Sequence, residues 1–274
     1  TSIKPKYAEA HNNLGNALKD QEKLDQAIEA YNNALSIKPD YTEAHYGLAA
    51  CLYKKGDLTE VMTNLELVNS NVSELDLDQR FYRIPHKVLT RLEELESSKK
   101  PTKFPLIIER NVEGTLVECL YKLSARSLDE TQDARYGSGK CSTDFRLFEA
   151  DEPIVKKVAS ELLMSMEELL DGKVLYHESF FNILGAGGGT RPHDHLKPND
   201  NNFDLYKYKY SLVYYLSVGD QSCTQPGTLK LYEPSIDILP TQGMCVVLPA
   251  ARLHSAVYNG SKDRMMIGCN FYLV

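Results

Sequence analysis

The chain has 274 residues, which is enough for one large domain or two unequal domains that each bury an apolar core. Its apolar fraction of 42% and charged fraction of 25% are typical of a globular protein, and its net charge of −7 argues against a nucleic-acid partner. No apolar run reaches membrane-spanning length, no signal peptide opens the chain and the six cysteines are scattered, so we expect a cytoplasmic protein with free thiols and no membrane association.

The N-terminal part repeats itself with a period of 34 residues. Lys4-Pro5-Lys6-Tyr7 recurs as Lys38-Pro39-Asp40-Tyr41, and Ala10-His11 recurs as Ala44-His45. This period is typical of tetratricopeptide helix pairs, in which small residues stand where two helices cross closely. We therefore predict all-α tetratricopeptide repeats over residues 1–72. The residues that fit the repeat pattern are Leu14, Gly15, Ala27, Tyr31, Ala34 and Pro39.

The first residues also match the end of the first repeat, because residues 1–5 resemble residues 35–39. We expect the chain to be a fragment of a longer protein whose repeats continue upstream. Asn12 and Asn16 lie one helical turn apart, and the opening repeat resembles repeats that hold extended peptides with asparagine side chains. The repeats are therefore a candidate site for a protein or peptide partner, and a merely polar surface is the alternative.

Helical spacing continues beyond the repeats. Residues 73–102 predict one or two connecting helices that end at a Ser/Lys/Pro-rich boundary near residue 102. Two further helices are predicted. The first covers about 114–126, and the second is capped by Asp151, has Pro153 in its first turn and stops at Gly172.

From Val174 the apolar period changes to two. Seven extended stretches separated by turn residues predict antiparallel sheets rather than alternating strands and helices. The fold class is therefore α+β, with helical repeats followed over residues 103–274 by a double-stranded β-helix, or jelly roll, and flanking helices. The predicted strands cover residues 174–184, 189–195, 210–217, 227–232, 243–248, 253–258 and 264–273.

Three of the seven histidines form a pattern suited to a metal ion. His193 and His195 are spaced i, i+2, so an extended segment points both imidazoles to the same face. His254, on a later strand, can complete one face of a coordination sphere. Arg264 follows ten residues later and offers a fixed cation for a carboxylate. The pattern favours a metal-dependent oxygenase.

The order and spacing of these motifs over residues 174–274 resemble the 2-oxoglutarate/Fe(II)-dependent oxygenases, in the branch with His-x-His where most members have His-x-Asp. The resemblance rests on Phe181-Asn182-Ile183-Leu184, Pro192-His193-Asp194-His195, Ser211 to Leu216, Gly227, Pro249, His254 and Arg264 to Asn270. It implies that His193, His195 and His254 bind Fe(2+) and that Arg264 binds the distal carboxylate of 2-oxoglutarate. Asn182 resembles a residue that relatives place near this co-substrate, although a buried asparagine that bonds the backbone is the alternative.

The third imidazole leaves alternatives open. Asp194 cannot simply replace the missing carboxylate, because adjacent strand residues point to opposite faces, unless a bulge turns it inward. A three-histidine cupin-type dioxygenase would need no 2-oxoglutarate, and a vestigial barrel would leave only a repeat-based interaction protein. The resemblance favours a hydroxylase acting on a peptide or protein side chain or on a small metabolite. Residues 196–209 are expected to be a polar loop and a candidate substrate lid.

Overall fold

The computed structural model describes residues 3–72, 80–94 and 103–274. The chain divides into two compact units. The repeat unit comprises residues 1–98 together with 198–205, and the barrel unit comprises residues 99–197 together with 206–274. The predicted boundary near residue 102 lies outside the described residues, and the predicted domain limits stay predictions.

The repeat unit contains four helices in antiparallel pairs and one further helix. They are α1 (Ile3–Asp20), α2 (Leu24–Ile37), α3 (Thr42–Lys55), α4 (Leu58–Asn71) and α5 (Ile84–Glu94). Gly56 ends α3 in the left-handed conformation with a φ of 84°, and the Asp57 carboxylate then accepts the Glu60 N–H at 3.1 Å to begin α4. The predicted tetratricopeptide helix pairs are confirmed. Helix α5 falls in the predicted connecting segment, whose residues 73–79 and 95–102 lie outside the described residues.

Tyr31 of α2 is the packing centre of the first three helices. Its side chain is fully buried, and its hydroxyl donates to Asn16 Oδ1 at 2.8 Å. A Cβ atom at Gly15 of α1 would lie 2.6 Å from the Tyr31 ring, and one at Gly47 of α3 would lie 2.5 Å from it. The prediction of small residues at helix crossings therefore holds at Gly15 and Gly47, because a larger side chain at either position would collide with the Tyr31 ring.

We expect Gly47→Ala to lower the free energy of unfolding by about 1–3 kcal/mol, the usual cost of overpacking a filled core. Urea unfolding followed by circular dichroism measures the change. Gly114→Ala is the matched control, because a Cβ at this helical glycine meets no atom within 4 Å. Alanine normally stabilises a helix relative to glycine, so an equally stable Gly47→Ala protein would contradict the packing account.

Residues 198–205 belong to the repeat unit by packing. Phe203 is fully buried, and its ring meets Tyr46 and Tyr53 edge-on at centroid distances of 5.3 and 5.6 Å. Lys19 donates to Asn202 Oδ1 at 3.3 Å. The prediction of a solvated polar loop over residues 196–209 is wrong here, because Phe203 and Leu205 anchor the segment with fully buried side chains. The lid role stays a prediction.

The barrel unit consists of two antiparallel sheets. One has the strand order β1-β10-β7-β12-β5-β4-β2, and the other has the order β3-β6-β11-β8-β9. The predicted α+β class with a jelly-roll-like barrel is confirmed. The strands are β1 (Leu106–Glu109), β2 (Ala125–Ser127), β3 (Arg135–Tyr136), β4 (Gly139–Ser142), β5 (Val174–Leu184), β6 (Gly188–His193), β7 (Lys209–Ser217), β8 (Leu229–Leu231), β9 (Ile236–Ile238), β10 (Met244–Pro249), β11 (His254–Tyr258) and β12 (Arg264–Leu273).

Two helices cover one face of the larger sheet, as predicted. Helix α6 (Gly114–Lys122) ends four residues earlier than expected, because residues 125–127 pair with β4 as strand β2. Helix α7 (Pro153–Leu170) has Glu152 rather than Asp151 at its N-cap, and the Asp151 carboxylate binds Lys156 instead. Asp171, in the left-handed conformation, ends the helix one residue before the predicted Gly172.

The larger sheet is apolar on both faces, which explains the continuous apolar run of β7. Leu212, Tyr214 and Leu216 pack with the helices, whereas Val213 and Tyr215 pack with residues of the smaller sheet. Alternate residues of one strand point to opposite faces, so both sets are buried. No helix in the described ranges 3–72, 80–94 and 103–274 is long and apolar enough to span a membrane.

Candidate metal centre

The three predicted histidines meet at one end of the smaller sheet. His193, the last residue of β6, is the register partner of His254, the first residue of β11. His195 lies just beyond β6, where its backbone N–H donates to the Ala250 carbonyl at 2.9 Å. Strand pairing and this one hydrogen bond therefore bring together residues that are about sixty positions apart in the chain.

The ring nitrogens of the three histidines are close enough to share one ion. One ligand atom from each side chain lies within 4.8 Å of the others. His195 Nε2 is 3.2 Å from His254 Nε2, and the His193 and His254 ring centroids are 4.4 Å apart. The Asp194 carboxylate turns elsewhere and accepts the Leu196 N–H at 3.0 Å. The arrangement is a three-imidazole cluster, and Asp194 stands outside it.

Two of the three rings are oriented by backbone carbonyls. His193 Nδ1–H donates to the Arg191 carbonyl at 2.8 Å, and His254 Nδ1–H donates to the Arg252 carbonyl at 2.9 Å. In a neutral imidazole, a proton on Nδ1 leaves a lone pair on Nε2. Both rings therefore direct a free lone pair into the cluster, as a metal ligand must.

Burial favours the neutral form of two of the three rings. Removal from water, and secondly the neighbouring His193, lower the pKa of His254 to about 4. Burial, followed by the proximity of His254 and His193, also lowers the pKa of His195 well below its ordinary value. Because only unprotonated imidazoles bind metals, the metal-binding form is available at neutral pH.

We expect the metal-free protein to lose stability on mild acidification. The folded-state pKa of His254, about 4, lies below the unfolded value of about 6.5, so between these values the unfolded chain binds more protons and stability falls as pH falls. For His254 alone the loss from pH 7 to pH 5 is about 2 kcal/mol. Urea unfolding at both pH values measures it. His254→Gln should flatten the pH dependence, and an unchanged slope would contradict the assignment.

A cavity of about 890 Å³, including solvent at its mouth, extends from the histidines between the two sheets. Asn182, Tyr215 and Met266 line it on the larger sheet, and Leu229 and Ala256 line it on the smaller sheet. Asn182 is 1% exposed and accepts a hydrogen bond from Arg135 Nη1 at 3.2 Å. Asn182 is therefore a cavity residue with a side-chain partner, which differs from the backbone-bonded alternative.

Arg264 is buried with unused donors. Its side chain is 1% exposed, none of its three guanidinium nitrogens has a hydrogen-bond partner among the described residues, and its guanidinium carbon lies 5.0 Å from the centroid of the Tyr215 ring. Gly227 makes room for it, since a Cβ there would lie 2.7 Å from Arg264 Nε. Arg264 is not one of the residues that line the cavity. It lies against Tyr215, and Tyr215 is one of the residues that line the cavity.

Several charged groups around the cavity were not predicted. Arg135 lines it, with Nε donating to Asp133 Oδ1 at 2.9 Å. Glu178 pairs with Lys197 at 3.2 Å and accepts from Asn270 Nδ2 at 2.8 Å. Burial alone raises the pKa of Glu178, but Lys197 and Asn270 outweigh it and lower that pKa. Arg135 lies in a two-residue strand that carries no periodic signal.

On the repeats, the two predicted asparagines differ in their surroundings. Asn12 is 5% exposed, and its Oδ1 has no hydrogen-bond partner. Asn16 is exposed, but its Oδ1 accepts the Tyr31 hydroxyl. Asn12 lies on the buried side of α1 with Ala8 and Gly15, so only Asn16 of the two is exposed, and the peptide-binding role of the pair stays a prediction.

The family model described as TPR repeat matches residues 15–56. No curated protein sequence matches the chain. The residues that match the repeat model run from α1 to the end of α3, so the N-terminal part carries tetratricopeptide repeats.

Several solved structures resemble the chain at low identity. A Trichoplax adhaerens prolyl hydroxylase in complex with a hypoxia inducible factor peptide is 16% identical, with a TM-score of 0.46, over 74% of this chain and 94% of that chain. HygX from Streptomyces hygroscopicus, with nickel and 2-oxoglutarate bound, is 13% identical, with a TM-score of 0.47, over 69% of this chain and 87% of that chain. A Pseudomonas putida prolyl-4-hydroxylase is 19% identical, with a TM-score of 0.41, over 58% of this chain and 84% of that chain. All these TM-scores are below 0.5, so no activity or ligand is transferred from them.

Proposed function

We propose that the barrel unit is a 2-oxoglutarate- and Fe(II)-dependent dioxygenase that hydroxylates its substrate. The observation that carries the proposal is the convergence of three imidazoles at the cavity. His193, His195 and His254 would hold the ion on one face, and imidazole nitrogens are suitable ligands for Fe(II). When bound, Fe(II) would activate dioxygen, with one oxygen atom entering succinate as 2-oxoglutarate loses carbon dioxide and the other entering the substrate, whose C–H bond becomes C–OH.

The unused donors of Arg264 fit the second carboxylate of the co-substrate. A buried guanidinium without partners is costly, and a carboxylate that accepts two parallel N–H bonds would satisfy it. Arg135 is the other guanidinium near the site, but it already donates to Asp133 and Asn182. Arg264 is therefore the preferred anchor, and Asn182 would contact the co-substrate from the cavity wall.

Substrate would enter beside Phe145 and Phe180, which line the cavity with the Glu178–Lys197 ion pair. A peptide or protein side chain and a small metabolite both suit this combination of aromatic and charged groups. The repeats favour a protein or peptide partner over nucleic acid, in keeping with the negative net charge. We place this activity in the cytoplasm.

A three-histidine dioxygenase that uses no 2-oxoglutarate is the second candidate. Two observations favour it. The histidine cluster contains no carboxylate among the described residues, and Arg264 is not one of the residues that line the cavity. In this alternative the Arg264 cation would have a structural role against the aromatic ring.

Anaerobic titration with Fe(II) and then 2-oxoglutarate tests the proposal. We expect one Fe(II) per chain and a visible charge-transfer band when the 2-oxo acid chelates the ion. Iron binding without that band would support the second candidate. Absence of stoichiometric iron would overturn both.

A further inference from the structure

The segment 198–205 interrupts the barrel sequence and packs with the repeats, and we call it the strap. Its Asn202 N–H donates to its own Asn199 carbonyl at 3.1 Å. In the ranges that the structure describes, no backbone–backbone hydrogen bond joins the strap to a helix of the repeat unit. Its attachment to those helices is therefore through side chains, as for a bound peptide.

Phe203 is the anchor of the strap. Its ring is fully buried and meets Tyr46 and Tyr53 edge-on, at the centroid distances given above. Tyr46 in turn meets Tyr82 edge-on, with the ring centroids 5.0 Å apart. Edge-to-face aromatic pairs stabilise a contact beyond the area that they bury. The repeat unit thus provides a tyrosine-lined pocket for one phenylalanine side chain.

The strap contacts equivalent positions of two successive repeats. With the period of 34 residues, Tyr53 of α3 occupies the position that Lys19 has in α1. Phe203 contacts Tyr53, and the neighbouring Asn202 accepts a hydrogen bond from Lys19 Nζ at 3.3 Å. A segment that meets the same position of both first helices lies along the groove that these helices form.

Helix α3 is covered where the strap lies. Its residues 44–52 are all buried, although a surface helix normally keeps a polar stripe in contact with water. Tyr46 is 5% exposed and lies under Phe203. The strap therefore takes the place of water on this face of α3, and the groove is occupied.

We infer that the strap is a built-in ligand of the repeats, so that their groove is a peptide site that this chain fills with its own residues 198–205. A tethered ligand competes at an effective concentration of about millimolar, so a second peptide must displace the strap to bind. The pocket would select an aromatic residue preceded by a carboxamide, as Phe203 is preceded by Asn202. None of these contacts includes a histidine of the metal cluster, so failure of the proposed dioxygenase activity would leave the inference standing.

A fluorescein-labelled peptide with the sequence of residues 198–205 tests the site by fluorescence anisotropy. Phe203→Ala empties the pocket, so we expect the protein variant to bind the peptide at least tenfold more tightly than the wild type, in which the tethered strap competes. The same peptide with Phe203→Ala should bind neither protein. Tyr206→Ala is the matched control, because it removes an aromatic ring one residue beyond the strap, and it should bind the peptide as the wild type does.

Hydrogen exchange of the strap amides, read by mass spectrometry, gives a second test that needs no change in Phe203. Lys19→Gln removes a charged donor to Asn202 and should raise strap exchange about fivefold, the factor of one net hydrogen bond. Lys23→Gln is its control, because Lys23 bonds Gln21 instead, and it should leave strap exchange unchanged. An excess of unlabelled peptide should also raise strap exchange in the wild type.

Equal peptide affinity of wild type and Phe203→Ala would overturn the inference, as would binding to neither. Unchanged strap exchange in Lys19→Gln would contradict the contact that holds the strap on α1. A peptide that binds the wild type without raising strap exchange occupies another site, which also overturns it. Circular dichroism of each variant establishes that the proteins compared are folded, and the Lys19→Gln arm decides the outcome if Phe203→Ala does not fold.

Discussion

His254→Ala is expected to abolish stoichiometric Fe(II) binding and leave the barrel folded. Three imidazoles are the minimum set that holds one face of the ion, and the removal of one leaves two ligands that bind weakly. Changes in residues behind a metal ligand already cost about 10–100-fold in affinity, so loss of a ligand should cost more. Metal content after anaerobic loading and desalting measures the effect, with circular dichroism as the test of fold.

His177→Ala is the matched control, since His177 lies on β5 of the same unit with its ring centroid 6.0 Å from that of Tyr272, outside the metal cluster. It should retain one Fe(II) per chain. Equal metal content in the two variants would show that His193, His195 and His254 are not the metal site, despite their convergence.

Arg264→Lys should weaken 2-oxoglutarate binding by about tenfold or more while iron binding stays unchanged. Lysine keeps the charge but loses the planar pair of donors that a carboxylate accepts, and a hydrogen bond to a charged group contributes about 1.5–3 kcal/mol. Anaerobic titration of the iron-loaded protein, followed through the charge-transfer band, measures the affinity. Arg264 is suited to this test because, in the part of the chain that the structure describes, its nitrogens have no hydrogen-bond partner and its guanidinium lies against the Tyr215 ring.

The same titration with Arg135→Lys tests whether Arg135, rather than Arg264, binds the carboxylate of 2-oxoglutarate. Arg135 lines the cavity, and its donors are engaged by Asp133 and Asn182. Weaker 2-oxoglutarate binding only in Arg135→Lys would move the carboxylate anchor to Arg135. Affinities equal to the wild type in both variants would favour the dioxygenase that needs no 2-oxoglutarate.

Long elements with a regular period could be predicted from the sequence. Strand β5 covers 174–184 and strand β12 covers 264–273, as expected, because their apolar alternation extends over ten or more residues. Four strands before Val174 and strand β9 were missed. Each has two to four residues, which is too short for a period to be recognised, and each forms only where the edge of an existing sheet is available.

The sequence by itself determined the repeat period and the double-sheet barrel, and it selected the three histidines and Arg264 as candidate site residues. These are local patterns of spacing that a single segment carries. Only the tertiary structure decided that Asn270 meets His195 and is bridged to Glu178 and Ser211. Such contacts depend on the register of β12 between β5 and β7, and that register is set by the pairing of whole strands, because a slip of one residue would turn Asn270 to the opposite face.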